Sequence, residues 1–497
     1  MKESRRKFLR TSACGLTGAA MVASLDRFNL VNAMVQQQPE VAADYKALVC
    51  IFLFGGTDAN NMIVPLDSEY NAYMSVRGQS GNPGTAPNLG IPQSILLPIN
   101  PASGRPFGLH PNLSPEVATP ALPKGLLDVW NAGKLAVLCN FGSLVQPITR
   151  AQYQAGIGHP YQLFSHSDQQ TQQQTVVSNT VGQTGWGGRV ADKTGSLNGP
   201  VVLPMNISVA GTALFATGTN TRQLAIAAAP TTLANVLVLN WSGPAGANPN
   251  TANSSYRQLL GFDLNHFLVK GASDTTNQAL TADAVLNQPD PALIAFPAPP
   301  ALNTSIANQL RQVAKLIILR NTLGMKRQIF FCSLGGFDTH TNETGADPTN
   351  PAGGAGQSGG QGGLLTQMSQ AMRAFYDEMV AQGISDSVTT FTMSDFSRTF
   401  QASGSGSGTV GTDHAWGSHA FIMGGKVLGG TFYGTYPTLA LGGPNDTDNR
   451  GRWIPTTSVD QYAATLATWY GLAPSDVPTV FPNLYKFSPQ NLGFLGP

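Results

Sequence analysis

Four short apolar runs punctuate the chain: Ala47 to Phe54, Leu135 to Phe141, Gln328 to Leu334 and Val388 to Met393. Each is rich in β-branched and aromatic residues and ends abruptly in Gly or polar residues. Unbroken apolar runs of this length fit strands buried on both faces, as in a parallel sheet. Elsewhere the period changes to that of a helix. Ile306, Leu310, Val313, Ala314 and Ile317 line up at helical spacing before the third run. A second helical stretch, Leu364 to Met379, precedes the fourth run, and a third runs from about Ser458 to Tyr470 with Ser458 as its cap. Helix and strand alternating in this way predict an α/β fold, a doubly wound and mostly parallel sheet, over residues 45–497.

Residues 196–301 break this pattern. They are rich in Asn, Thr, Ala and Pro, and their short runs VVLPMNISV, ALFAT and QLAIAA read as a smaller β-containing insertion or cap. Two low-complexity stretches follow, NPAGGAGQSGGQGG near residue 350 and SGSGSG from Ser403 to Gly408. Both read as flexible loops at the rim of a site rather than as interdomain linkers.

Composition narrows the picture. Charged residues make up 11% of the 497 and the net charge is +1 with no basic stripe, so a nucleic-acid partner has no electrostatic support. The first residues carry more information. Ser4, Arg5, Arg6, Lys7, Phe8 and Leu9 precede a weakly apolar stretch, and Val31 and Ala33 offer a small-residue cleavage pattern before Met34. Residues 1–33 therefore read as a twin-arginine export signal, a receptor-read address for the twin-arginine translocase. The later chain has no run of the roughly 20 apolar residues a spanning helix needs, so the mature protein is expected to be periplasmic or secreted without a membrane span. Beyond the signal lie Cys50, Cys139 and Cys332, each inside an apolar run. A Cys50–Cys139 bridge requires neighbouring strands; three buried, unreactive thiols is the simpler expectation.

In doubly wound folds, ligands bind beyond the carboxyl ends of the strands. The first run is followed by GGTDANN (Asp58, Asn60, Asn61), and the second, after a loop, by LFSHSDQQ (Ser165, His166, Ser167, Asp168). The third gives GGFDTH (Asp338, His340), the fourth gives SDFSR (Asp395, Ser397, Arg398), and GTDHAWGSH then adds Asp413, His414 and His419. Taken singly, these are ordinary turns and caps. Taken together, carboxylates and imidazoles after successive strands suit one or two divalent ions, with zinc, manganese or iron favoured and magnesium or calcium compatible with a carboxylate-rich site. A metal-bound serine is a usable nucleophile, and two ions can clamp the oxygens of phosphoryl or sulfuryl transfer.

As an ordered set, SRRKFL, FLFGGTDANNMIVPL, LFSHSDQQ, GWGGR, GGFDTH, SDFSRT and GTDHAWGSHAFIMGG resemble the exported bacterial family catalogued as domain of unknown function 1501. That family is similar in turn to the alkaline phosphatase superfamily of phosphatases, sulfatases and phosphodiesterases. The resemblance implies metal ligands at Asp58, Asp338, His340, Asp395 and His414 or His419, with His419 preferred as the last ligand. It implies a nucleophile at Ser165, with Ser167 and Thr171 as alternatives. Arg398, Arg150 or Asn61 would hold the anion. Two departures stand out: Asp395 is followed by Phe396 where the superfamily has a histidine, and Asp338 and His340 are two apart rather than four. No Cys-x-Pro-x-Arg segment occurs, which excludes formylglycine chemistry. The reading is a periplasmic metal-dependent hydrolase of phosphate or sulfate esters, using a metal-activated serine or water on a small anionic ester or polysaccharide; the alternative is a non-catalytic exported scaffold or surface-binding or assembly factor with a degenerate metal site.

Overall fold

The computed structural model describes residues 44–78, 89–115, 125–236, 258–343, 360–403 and 410–497. The expected export signal at 1–33 and most of the two glycine-rich stretches lie outside these residues. Twelve strands are described: β1 (Lys46–Leu53), β2 (Ile63–Pro65), β3 (Leu97–Ile99), β4 (Phe107–Leu109), β5 (Leu135–Gly142), β6 (Asn206–Ser208), β7 (Leu224–Ala225), β8 (Arg327–Leu334), β9 (Val388–Ser394), β10 (Ser418–Gly424), β11 (Phe432–Gly434) and β12 (Thr457–Ser458). Nine form a central sheet in the order β11-β5-β10-β9-β1-β8-β6-β7, with β12 joined to β5. The other three form a small antiparallel sheet, β2-β4-β3. The protein is thus mixed α/β with a mostly parallel central sheet.

The four apolar runs become β5, β9, β1 and β8, each within one residue of its expected ends. In β1, Val49 pairs in parallel with Phe330 of β8 on one side and with Thr390 of β9 on the other. Burial on both faces explains why these runs lack polar alternation. The expected helices follow. Ser305–Ile318 is capped by Thr304 and packs on β8 and on the helix Gly360–Ala381, and Val459–Tyr470 packs on β1 and β5. Ser458 accepts the Gln461 N–H while the Gln461 side chain accepts the Ser458 N–H, a reciprocal cap. Two short runs of the 196–301 region become β6 and β7, which extend the central sheet beyond β8, and the same region carries the helix Phe267–Leu286. Among the described residues, no helix is long and apolar enough to cross a membrane.

Strand order decides between the two readings of the cysteines in favour of free thiols. Cys50 in β1 and Cys139 in β5 are separated by β9 and β10. Three strand spacings of about 4.8 Å far exceed the roughly 7 Å limit between bridged Cα atoms. Cys50, Cys139 and Cys332 are free and buried.

One strand runs against the rest, and it matters for the site. β10 lies antiparallel between β9 and β5. A returning strand needs only a loop, not a crossover helix. The described parts of that loop, residues 395–403 and 410–417, touch the segments that leave β1 and β8: Thr57 pairs with Ser397, and the Thr412 N–H donates to the Thr339 carbonyl at 3.0 Å.

Candidate metal centre

The site is assembled by backbone pairing before any side chain is considered. Residues 397–399 run antiparallel to 413–415: the Thr399 N–H donates to the Asp413 carbonyl and the Ala415 N–H to the Ser397 carbonyl, both at 2.9 Å. This ladder sets Arg398 opposite His414. Two glycines permit the close approach. A methyl group at Gly55, whose φ is +114°, would collide with the backbone nitrogen of Asp338, and one at Gly411 would collide with the backbone of His340.

Three imidazoles and one guanidinium then converge on a single carboxylate oxygen. Asp338 Oδ1 lies 3.1 Å from His340 Nε2, 3.3 Å from His166 Nε2, 3.6 Å from His414 Nε2 and 2.8 Å from Arg398 Nη1. His340 Nε2 and His414 Nε2 are 2.9 Å apart. His166, Asp338 and His414 have the spacing of a metal-binding group, as do His340, Asp413 and His414. His414 belongs to both groups through one available nitrogen, since its Nδ1 is 2.8 Å from the Phe164 carbonyl oxygen. A carbonyl only accepts, so Nδ1 carries the proton and the Nε2 lone pair faces Asp338.

His166 is oriented in the same manner. Its Nδ1 is 2.7 Å from Asp395 Oδ2, and its Nε2 is buried without a hydrogen-bond donor or acceptor at bonding geometry. Asp395 is fully buried and also accepts from Gln170 Nε2 at 2.8 Å and from the Gly55 N–H at 3.3 Å. The Phe396 ring packs against both imidazoles, at 4.7 Å from His166 and 4.9 Å from His414. The hydrogen bond to Asp395 raises the His166 pKa, aided by the negative charges of Asp395 and Asp338. Burial lowers that of His414, reinforced by the positive charges around it. Burial works to raise Asp338, but the hydrogen bond and charge of Arg398 hold it below the usual carboxylate range.

Of the residues expected from the sequence, Asp338, His340 and His414 come together as donors. Asp395 does not join them; it anchors His166 from behind. Asp58 and His419 are corrections. Asp58 is buried and clasped by both terminal nitrogens of Arg77, at 3.0 Å for Nη2. Burial acts to raise its pKa, yet the Arg77 charge and hydrogen bonds hold it low. An ion pair thus takes up the carboxylate that was expected on a metal. His419 is buried, with Nδ1 accepting the Asn140 N–H at 3.0 Å and its ring 5.2 Å from that of Tyr436. Its position as the second residue of β10 turns it into the sheet.

Arg398 is also corrected. It is fully buried and donates four hydrogen bonds, to Asp338, the Gly55 carbonyl, Thr412 Oγ1 and the Thr412 carbonyl. It positions Asp338 and is not available to hold an anion. Thr412 in turn donates to Glu343 Oε2 at 2.5 Å. Burial, then the charge of Asp58, push Glu343 up to about 8, a proton-holding group behind the site that no motif announced. Ser165 sits at the N-terminal boundary of the helix His166–Thr175 without a side-chain capping bond, and its hydroxyl donates to Asp168 Oδ2 at 2.5 Å.

The strand-end rule drew attention to LFSHSDQQ, and the superfamily resemblance then favoured Ser165 over His166. A signal for His166 was present in the chain. His166 and Gln170 are four apart on a helix, hence on one face, and both reach Asp395. Nothing local marked Arg450 and Arg452, which meet Asp413 Oδ2 at 2.7 and 3.1 Å and help hold the Asp413 pKa at about 2, against burial and beside the His414 N–H bond.

No curated protein matches the chain. Among solved structures it is similar to the crystal structure of Ps i-CgsB in complex with k-i-k-neocarrahexaose, at 9% identity over 89% of this chain and 76% of that one. The TM-score of 0.33 is too low to inform the chemistry here. The family profile described as protein of unknown function (DUF1501) matches residues 45–449. Spanning most of the chain, that match establishes what the motif order had suggested: the protein belongs to the DUF1501 family.

Proposed function

We propose that this protein is an exported, metal-dependent hydrolase of phosphate or sulfate esters that works with a single ion. The observation carrying the metal is the paired orientation of His166 and His414. Each gives its Nδ1 proton to a fixed oxygen, Asp395 Oδ2 or the Phe164 carbonyl, and so turns an Nε2 lone pair toward Asp338 Oδ1. Histidine ligands of metals are commonly oriented by such outer hydrogen bonds. At 2.9 Å, His340 Nε2 and His414 Nε2 are spaced either to share one hydrogen bond, with His340 as the Nε2–H tautomer, or to ligate one cation side by side. Ligands of one ion bound at about 2.0–2.2 Å stand roughly 3–3.5 Å apart in a tetrahedral site, close to the separations seen here.

Imidazole with carboxylate favours zinc, manganese or iron over magnesium or calcium. A single ion is favoured because His414 offers one free nitrogen to both ligand groups and Asp58 is taken by Arg77. A divalent ion bound there supplies Lewis acidity to an ester oxygen and makes a water more acidic. The chain's own residues supply the rest. Asp395 and Phe396 fix the His166 ring, Arg398 aims Asp338, and Asp168 stands ready to accept the Ser165 proton. The order of motifs, resembling that of the alkaline phosphatase superfamily, supports ester hydrolysis, and the SRRKFL run supports export to the periplasm by the twin-arginine route.

The test is elemental analysis of natively exported protein, combined with a panel of phosphate mono- and diesters and sulfate esters. One equivalent of transition metal with turnover of at least one ester class is expected. Metal-free protein without turnover would sink this reading and favour a scaffold or assembly role.

A further inference from the structure

We infer that the Arg450 guanidinium binds the anionic group of the substrate, a tetrahedral oxyanion of the phosphate or sulfate class. The inference rests on the hydrolase reading above and adds the residue that recognises charge. It begins from where each cationic or amide side chain around the centre spends its donors. Arg398 spends four N–H groups on the protein. Arg452 donates to the His414 carbonyl, Asp448 and Asp413, and its guanidinium lies 4.6 Å over the Phe164 ring. Arg77 is consumed by Asp58 and the carbonyls of Thr399 and Phe400. The other residues the sequence offered as anion holders are also engaged. Arg150 donates through Nη2 to the Asp448 carbonyl at 2.8 Å and leaves its Nε buried without an acceptor, but among the described residues no ion pair joins it to the centre; the Asn61 side chain bridges the Leu89 carbonyl and the Tyr73 hydroxyl.

Arg450 alone among these combines uncommitted donors with an ion pair to Asp413, the carboxylate beside His340. Its side chain is 35% exposed and only Nη1 is committed, to Asp413 Oδ2 at 2.7 Å. Nε and Nη2 donate to no described residue. Asp413 links it to the centre, because the other oxygen of that carboxylate is 3.9 Å from His340 Nδ1. Its backbone is pinned at both ends: its N–H donates to Asp448 Oδ1 at 2.8 Å, and its carbonyl accepts the Gln401 N–H at 3.0 Å. A half-committed, backbone-fixed guanidinium presents a planar fork that matches two oxygens of a phosphate or sulfate group.

Calorimetric titration of the metal-loaded full-length protein with inorganic phosphate and with sulfate tests this. Wild type is expected to bind at least one anion, and Arg450→Ala to bind it about 10- to 100-fold more weakly, the range for a lost charge-assisted hydrogen bond. Arg450→Lys should fall between them, and both variants should keep the wild-type metal content and melting temperature. Equal affinity in Arg450→Ala and wild type, or no anion binding by wild type, overturns the inference. Arg450-dependent anion binding without ester turnover would instead sink the hydrolase reading and leave this one standing. Turnover with unchanged anion affinity in Arg450→Ala would do the reverse.

Discussion

His166 Nδ1 and Asp395 Oδ2 stand 2.7 Å apart although 229 residues separate them in the chain. The sequence lacks a histidine directly after Asp395, where Phe396 sits instead. The fold brings this aspartate and histidine together in space, with the histidine arriving on the helix His166–Thr175 and Phe396 packing against its ring.

That pairing predicts graded effects on metal content. His166→Ala removes a donor and should abolish stoichiometric metal. Asp395→Asn leaves the donor but weakens its orientation, and should lower metal affinity by about 10- to 100-fold. Competition with a chelator, followed by elemental analysis, distinguishes the two. Wild-type affinity in His166→Ala would remove His166 from the site.

The Asp58–Arg77 pair predicts a change in stability and none in metal. Both side chains are fully buried, so Arg77→Ala leaves an uncompensated carboxylate and should cost about 3–5 kcal/mol. Urea denaturation reads the loss directly. The folded fraction should carry its full metal, because the proposed single-ion centre does not use Asp58; loss of metal from well-folded Asp58→Asn would restore the ligand role the sequence suggested.

His419 predicts acid sensitivity. Burial holds it neutral and lowers its pKa to about 4, below the ordinary histidine value of about 6.5. Below pH 6.5 the unfolded chain takes up a proton that the folded chain refuses. Its contribution is therefore complete above about pH 6.5 and lost as the pH falls toward 4, on the order of 3 kcal/mol at full effect. His110, lowered by burial to about 3, acts in the same direction. Denaturation midpoints at several pH values should show a shallower acid slope in His419→Asn than in wild type, with metal content unchanged at pH 7. An identical slope would show that His419 is not buried and neutral.

Asp446 predicts a remote copy of the Arg450 phenotype. Its buried carboxylate accepts the N–H groups of Gly442, Asp448, Gly451 and Arg452, which fixes the loop bearing Arg450. Asp446→Ala should cost about 2–4 kcal/mol through unsatisfied buried donors, and should weaken phosphate or sulfate binding about as much as Arg450→Ala. Full anion affinity in a folded Asp446→Ala would show that the loop is held by other means.

The sequence by itself determined the strands and helices, because unbroken apolar runs, helical periodicity and the Ser458 cap are local signals that burial and backbone geometry enforce wherever the chain goes. It also showed which strand ends deliver carboxylates and imidazoles, but it preferred His419 to His414 as the last ligand. Tertiary structure decided the rest, because ligands compete with ion pairs and hydrogen bonds formed by residues hundreds of positions away. Arg77 took Asp58, the second position of β10 turned His419 inward, and Asp395 became the support for His166. The antiparallel return of β10 brought the 395–417 loop back over the segments following β1 and β8. Only that path sets His414 opposite Arg398 and Asp413 beside Arg450, and no spacing along the chain encodes it.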